Sequence, residues 1–289
     1  VLKGSFRDAC NVYGFIKYDP ARDLRLPRFD KRRDDVKHLY TQKEIDLILN
    51  RFSDNDTFTC VFLTSCFTGM RTGEVCALTW NDIDFEKETI NIEHNVYDKP
   101  KDDKGRWFIG TTKTESGTRK IHLSQTLKIA LQNYKKKQDY YKKLFGRRYI
   151  KYRVEDVVNS YGKVIEHRIV REELSNKESE NIDLIFTKEN GLYLGTDITR
   201  TPFKIIHNEL GIKKCRFYDL RGSYATKILN SGVEIRDVAD LLGHRNIETT
   251  ENFYISSTED SRKYASEVFD NISKSETIDK IIKYKIDIE

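Results

Sequence analysis

The sequence predicts a mixed α+β fold, mainly helical, with a small antiparallel sheet. Three observations predict it. Apolar residues recur at helical spacing through residues 41–69 and again through most of 197–272. Short strand-like runs lie between residues 89 and 123, and turn residues separate them. With 289 residues, the chain is long enough for one large or two small domains with ample core material.

Residues 1–18 have the spacing of a short amphipathic helix (Leu2, Phe6, Cys10, Tyr13, Phe15), which "YDPARDLRLPRF" breaks with two prolines. A basic linker runs from there to about His38. In "YTQKEIDLILNRF", Thr41 with Glu44 forms a capping box, and Ile45, Ile48, Leu49 and Phe52 follow at helical spacing. "DTFTCVFLTSCFTG" reads as a buried helix ending near Gly69, and Thr72 caps another through "GEVCALTW". "TINIEHNVY", "RWFIGTT" and "RKIHL" read as strands. A long basic helix follows from Ser124 to about Phe145, then a hairpin about Tyr161-Gly162 and a polar loop, "SNKESEN". Helices are expected at Asp197–Leu210, Asp219–Asn230, Glu234–Leu242, Ile247–Ser256 and Thr258–Ile272, with Gly211 and Gly232 at helix ends. "SETIDKIIKYKI" ends the pattern with an apolar stripe of Ile278, Ile281 and Ile282.

Composition excludes several classes. Mean hydropathy is −0.66 and 34% of residues are charged, which predicts a soluble surface. No apolar run approaches the ~18 residues of a membrane span. The start, "VLKGSFRDAC", lacks a signal-peptide pattern and reads as the inside of a longer protein. Five cysteines, Cys10, Cys60, Cys66, Cys76 and Cys215, form no C-x-x-C pair, so they read as buried free thiols rather than a zinc or disulfide framework. A net charge of +5 is mild. "RFDKRRDDVKH" and "YKKKQDYYKKLFGRRYIKYR" nevertheless concentrate cations among aromatics, as a phosphate-backbone partner requires and as a solvated helix face also permits.

Several segments each offer a side chain suited to anions or protons. Arg71 opens a helix in "TGMRTGE", against the macrodipole, with Glu74 three residues on; a salt bridge between them is the plain structural alternative. Lys113 stands on a strand turn in "GTTKTESGTRK", where, taken alone, a solvated hairpin lysine is the favoured reading. Arg221 falls in the first turn of a helix in "FYDLRGSYATKIL", whose other face is Leu220, Tyr224 and Ile228. His244 follows a helix end in "LLGHRN", and Tyr254 comes ten residues later, either a core aromatic or a nucleophile.

In order, TG-x-R-x-GE, T-K-T, D-L-R-x-S-x-A-T, L-L-G-H and TT-x-x-x-Y resemble the catalytic domain of the tyrosine recombinases, over roughly residues 38–270. The long stretch 146–181 makes the chain most like integrases of phages or conjugative transposons. The resemblance implies that residues 1–37 are the end of a helical core-binding domain and a basic linker. Residues 38–273 are then the catalytic domain, and 274–289 a C-terminal segment that docks on a neighbouring protomer or covers its own. It implies a site-specific DNA recombinase with Tyr254 as nucleophile, Arg71, Arg221 and His244 on the phosphate, Lys113 protonating the leaving 5′ oxygen and Glu74 orienting a cation. Cations take the place of metal, so no cofactor is expected. Tyr218 departs from the family, which has His or Lys three residues before the second arginine. The implied partners are double-stranded DNA with paired recombination sites, a homotetramer on that DNA, and accessory bending or directionality factors; no membrane is expected. The implied place is the bacterial cytoplasm, at the nucleoid. Two rivals remain at this point. "EIRDVADLLGHRNIETTENFYI" also reads as a helix-turn-helix regulator, and a type IB topoisomerase shares the tyrosine chemistry.

Overall fold

The computed structural model describes residues 2–24, 38–111, 117–175, 179–212, 215–244 and 246–250. Contacts divide the chain into a unit of residues 1–36 and another of residues 37–289. In the first, α1 (Leu2–Asn11) stops short of the expected residue 18, and none of its residues is buried. The Val12 and Tyr13 amides both donate to the Asp8 carbonyl, and Gly14 turns the chain with a φ of +62°.

The second unit opens with α2 (Gln42–Arg51), where Thr41 and Glu44 form the expected capping box. α3 (Asp56–Thr68) is buried along nearly its whole length, which is why its sequence is apolar on every face. Its threonines satisfy themselves by donating back along the helix, Thr64 Oγ1 to the Cys60 carbonyl (2.8 Å) and Thr68 Oγ1 to that of Thr64 (2.6 Å).

The next helix departs from expectation at both ends. α4 (Thr72–Ala77) is capped at Arg71, not Thr72, because the Glu74 carboxylate reaches back to the Arg71 amide. It stops before the expected Trp80 because Leu78 turns extended (φ −58°, ψ 134°) and its carbonyl accepts the Ile185 amide.

"TINIEHNVY" is not one strand. It divides at Glu93 between two sheets. β1 (Ile83–Asp84), β2 (Thr89–Ile92) and β5 (Arg119–His122) form an antiparallel sheet in the order β1-β2-β5. β3 (His94–Asp102), β4 (Gly105–Thr111), β6 (Tyr152–Val158), β7 (Val164–Arg171) and β8 (Glu180–Ile182) form a second, in the order β3-β4-β7-β6-β8. The β6–β7 hairpin turns at Tyr161-Gly162 as expected, with Asn159 Oδ1 accepting from the Tyr161 and Lys163 amides. The expected polar loop "SNKESEN" gives up its last two residues to β8, which pairs with β6 through Val154↔Glu180 and Arg153↔Asn181.

α5 (Gln125–Phe145) begins on the Ser124 cap. Its cations are less available than a solvated basic face implies: Lys137 is held by Asp56, Lys142 by Asp183, and Lys135 lies over Trp80 at 5.1 Å. Helix 197–210 divides into a tight turn, Gly195–Thr199, and α6 (Arg200–Glu209). α7 (Asp219–Asn230) has the expected limits, and α8 (Ile235–Leu242) takes Glu234 as its N-cap.

The largest core cluster gathers α2, α3, β2, β5, α5 and α6. A second lies under the five-stranded sheet around Trp107 and Tyr193, and a third joins α7 to α8 through Ala225, Ile228, Leu229, Val238 and Leu242. Burying each of the larger apolar chains contributes about 1.5–3 kcal/mol. All five cysteines are free; Cys60, Cys76 and Cys215 are buried as expected, while Cys10 and Cys66 are half-buried. Among the described residues no helix is long and apolar enough to cross a membrane. Residue 247 is in a turn and residues 248–250 are helical; 251–256 and the helix expected at 258–272, the segment 274–289, and the basic stretch through residue 37 lie outside the described residues.

Candidate active site

The site begins where α3 ends. Gly69 takes a left-handed φ of +61°, and a Cβ there would stand 2.4 Å from Tyr224 Cδ1, so α3 and α7 meet this closely only over a glycine. The turn buries Met70 and delivers Arg71 to the N-cap of α4. A guanidinium there opposes the helix macrodipole. Glu74, one turn on and 2% exposed, answers it: Arg71 N donates to Glu74 Oε2 (2.9 Å) and Nη1 to Oε1 (2.6 Å).

A second guanidinium shares that carboxylate. Arg119, from β5, donates through Nη2 to Glu74 Oε2 at 2.9 Å. Burial alone would raise the Glu74 pKa, but the bond from Arg119 and then Arg71 outweigh it and hold the carboxyl below its usual range. Arg221, in the first turn of α7, is fully buried; Nη1 donates to the Gly69 carbonyl (2.8 Å) and Nη2 to that of Leu242 (2.6 Å). Its Nε has no acceptor among the described residues. Burial first, and Arg71 next, push its pKa down, while Glu74 pulls the other way.

The end of α8 explains the convergence. A helix leaves its last four carbonyls without intrahelical donors and carries partial negative charge there. Three arginines from three elements take three consecutive carbonyls: Arg119 Nε to Leu241 (2.7 Å), Arg221 Nη2 to Leu242 (2.6 Å) and Arg71 Nη2 to Gly243 (3.2 Å). Gly243 is left-handed (φ +67°), its amide bonds the Asp240 carbonyl at 3.0 Å, and the His244 amide bonds that of Ala239 at 2.9 Å. That is a Schellman close, and it places His244 immediately past the seat of the three cations. The imidazole Nδ1 pairs with Thr250 Oγ1 at 2.8 Å, and Thr250 is fully buried, so the ring is held from behind.

Arg71 with Glu74, Arg221 and His244 therefore come together from three motifs, and the Arg71–Glu74 salt bridge exists alongside them. Tyr218, just ahead of α7, is 46% exposed. Lys113 and Tyr254 lie outside the described residues. Arg119 was not singled out from sequence, and Thr250 only within the TT-x-x-x-Y motif, with no role of its own. Arg119 had a legible signal: it shares strand parity with the buried Ile121 and Leu123, and a cation on an inward face requires a partner.

Three guanidiniums around one carboxylate leave the site short of negative charge. A tetrahedral oxyanion is expected to bind there and stabilise the fold. Inorganic phosphate at about ten times its Kd should raise Tm by about 2–4 °C, with chloride at equal ionic strength as the control. Arg71→Ala should lose the increment; an unchanged increment in that variant would place the anion elsewhere.

The sequence profile of the phage integrase family matches residues 38–261. This chain belongs to the phage integrase family. Among similar proteins, a XerC-like tyrosine recombinase of Caldanaerobacter subterraneus subsp. tengcongensis is 28% identical over 199 residues, 67% of this chain and 44% of the relative. The transposase of transposon Tn916 from Enterococcus faecalis is 26% identical over 194 residues, 67% of this chain and 41% of the relative. The chain thus spans less than half the length of these two proteins. Among solved structures, the Tn1549 transposon integrase in complex with a circular intermediate DNA superposes with a TM-score of 0.60 at 20% identity, covering 92% of this chain and 76% of that one. At that identity the likeness is one of fold. In this integrase-family chain the fold is the expected tyrosine-recombinase catalytic type, mixed α and β with antiparallel sheets.

Proposed function

We propose that this chain is the DNA-cleaving and rejoining part of a site-specific recombinase of a phage or conjugative transposon. One observation carries the reading: Arg71 and Arg221, from separate motifs, are seated on the adjacent carbonyls of Gly243 and Leu242, with His244 next in the chain. Attack on a phosphodiester builds negative charge on the non-bridging oxygens, and two preorganised guanidinium forks oppose that charge. Tyr254 Oη is the nucleophile; it gives up its proton to water as the bond it forms to phosphorus replaces the bond to the 5′ oxygen. Lys113 gives that oxygen its proton, and His244 hydrogen-bonds a phosphate oxygen. Glu74 orients Arg71. Tyr218, where relatives have His or Lys, hydrogen-bonds the scissile phosphate. The 3′-phosphotyrosyl bond keeps the energy of the broken linkage, so rejoining to another 5′ hydroxyl requires no nucleotide, and no metal or cofactor has a role in the reading.

In this reading residues 1–37 are the end of a core-binding domain and its basic linker, and 38–273 the catalytic domain. Residues 274–289 dock on a neighbouring protomer in a homotetramer across paired sites. Accessory bending or directionality factors act on the same DNA, at the bacterial nucleoid. Family membership weighs against the helix-turn-helix regulator, as does α8, whose terminal carbonyls are engaged by arginines of three other elements.

A nicked suicide duplex bearing the element's end tests the proposal. A denaturation-resistant protein–DNA adduct is expected, followed by transfer of the held strand to a second duplex with a free 5′ hydroxyl. Relaxation of supercoils without joining of two sites would move the chain to the topoisomerases; absence of any adduct would remove the catalytic reading.

A further inference from the structure

We propose that Arg119 is a positioning residue for the cleavage reaction, a proposal that rests on the recombinase reading above. Its guanidinium fixes Glu74, and through Glu74 the reach of Arg71, to the end of α8 that carries His244. Each of its nitrogens is committed to protein: Nε to the Leu241 carbonyl (2.7 Å), Nη1 to that of Gly117 (3.0 Å) and Nη2 to Glu74 Oε2 (2.9 Å). Its side chain is 7% exposed, against 36% for Arg71, so Arg71 is the guanidinium open to a ligand and Arg119 the one behind it. The carboxylate between them is divided: Oε1 serves Arg71 Nη1, while Oε2 takes both the Arg71 amide and Arg119. Without Arg119, Glu74 keeps only its bonds to Arg71, from the amide and from Nη1, and loses its tie to the end of α8.

The bond to Gly117 adds a further link. Gly117 directly follows residues 112–116, the segment containing Lys113. A single side chain therefore ties Glu74 of α4 and the Leu241 carbonyl of α8 to the chain just ahead of β5. Planar five-donor geometry is what allows one residue to do this, and lysine cannot reproduce it.

The test is single-turnover adduct formation on the nicked suicide duplex by the 289-residue chain, with noncovalent duplex affinity measured separately. Arg119→Met is expected to slow adduct formation about 10- to 100-fold, the scale of one lost bond to a charged group, with affinity within about twofold. Arg119→Lys, which still reaches Glu74, should recover part of the rate. The double variant Arg71→Ala/Arg119→Met should be no slower than Arg71→Ala alone, because a residue that acts through Arg71 has nothing left to position. Losses that multiply, or an Arg119→Met rate equal to wild type, would overturn the proposal. If Arg119→Met does not fold, the Arg119→Lys pair carries the same comparison. The guanidinium ¹⁵N resonances of Arg71 give a readout independent of activity. They should be separate and slowly exchanging in wild type and averaged in Arg119→Met; unchanged resonances would also overturn it. Should wild type form no adduct, the recombinase reading fails while these resonances still decide whether Arg119 holds Arg71.

Discussion

Tyr254→Phe is expected to form no denaturation-resistant adduct with a nicked suicide duplex, a fall of at least about 10⁴-fold, while its noncovalent affinity for the same duplex stays within about twofold. The asymmetry follows from the division of labour. Affinity for a phosphate backbone comes from cations and counterion release, which this substitution does not touch. Covalent chemistry needs an oxygen, and the only atom removed is that oxygen. A phenol with a pKa near ~10 is a weak nucleophile on its own, so in the proposed mechanism even the intact residue depends on the cations of the site. The neighbouring Phe253 has no hydroxyl to substitute for it. The rival phenol is Tyr218, which is exposed and lies three residues before Arg221. Tyr218→Phe is the matching control: it should slow cleavage and still yield adduct. If Tyr254→Phe retained the adduct and Tyr218→Phe lost it, the nucleophile would have to be reassigned.

Sequence alone disclosed the helices well because they are written in local periodicity. α7 has the expected limits because Leu220, Tyr224 and Ile228 recur at helical spacing, even though burial extends round nearly the whole helix, and α2 because Thr41 and Glu44 cap it through side chains three residues apart. What stayed hidden depends on partners distant in the chain. The break at Glu93 between β2 and β3 has no local mark, since both halves favour strand; only pairing of β2 with β5 and of β3 with β4 separates them. The start of α4 was misplaced by one residue because a threonine is a better cap in isolation, whereas here the Glu74 carboxylate supplies the acceptor. In the site, the residue types of Arg71, Arg221 and His244 were legible as motifs. Their seats were not, because the acceptors are main-chain carbonyls of Leu241, Leu242 and Gly243, and a carbonyl leaves no trace in residue identity.

Those seats make Arg221→Ala the second decisive variant, with opposed effects on stability. Removing the side chain leaves the Gly69 and Leu242 carbonyls without these donors, at a cost of about 1–3 kcal/mol for each acceptor left buried and unsatisfied. It also relieves a buried charge held close to Arg71 and Arg119, both of which disfavour it. The net loss is therefore expected to be about 1–3 kcal/mol, read as a fall in Tm of several degrees with the fold retained. Cleavage should fall much further, by about 10²–10³-fold or more, because in the proposed mechanism a preorganised cation that opposes the developing negative charge is gone. Arg221→Lys should restore charge and little rate, since one ammonium cannot span two carbonyls on different helices and still face a phosphate. Thermal unfolding and adduct formation on the same preparations separate the two effects. A variant that unfolds at the wild-type temperature and cleaves within threefold of it would mean that the buried guanidinium serves neither α8 nor the phosphate, and the site would have to be rebuilt around Arg71 alone.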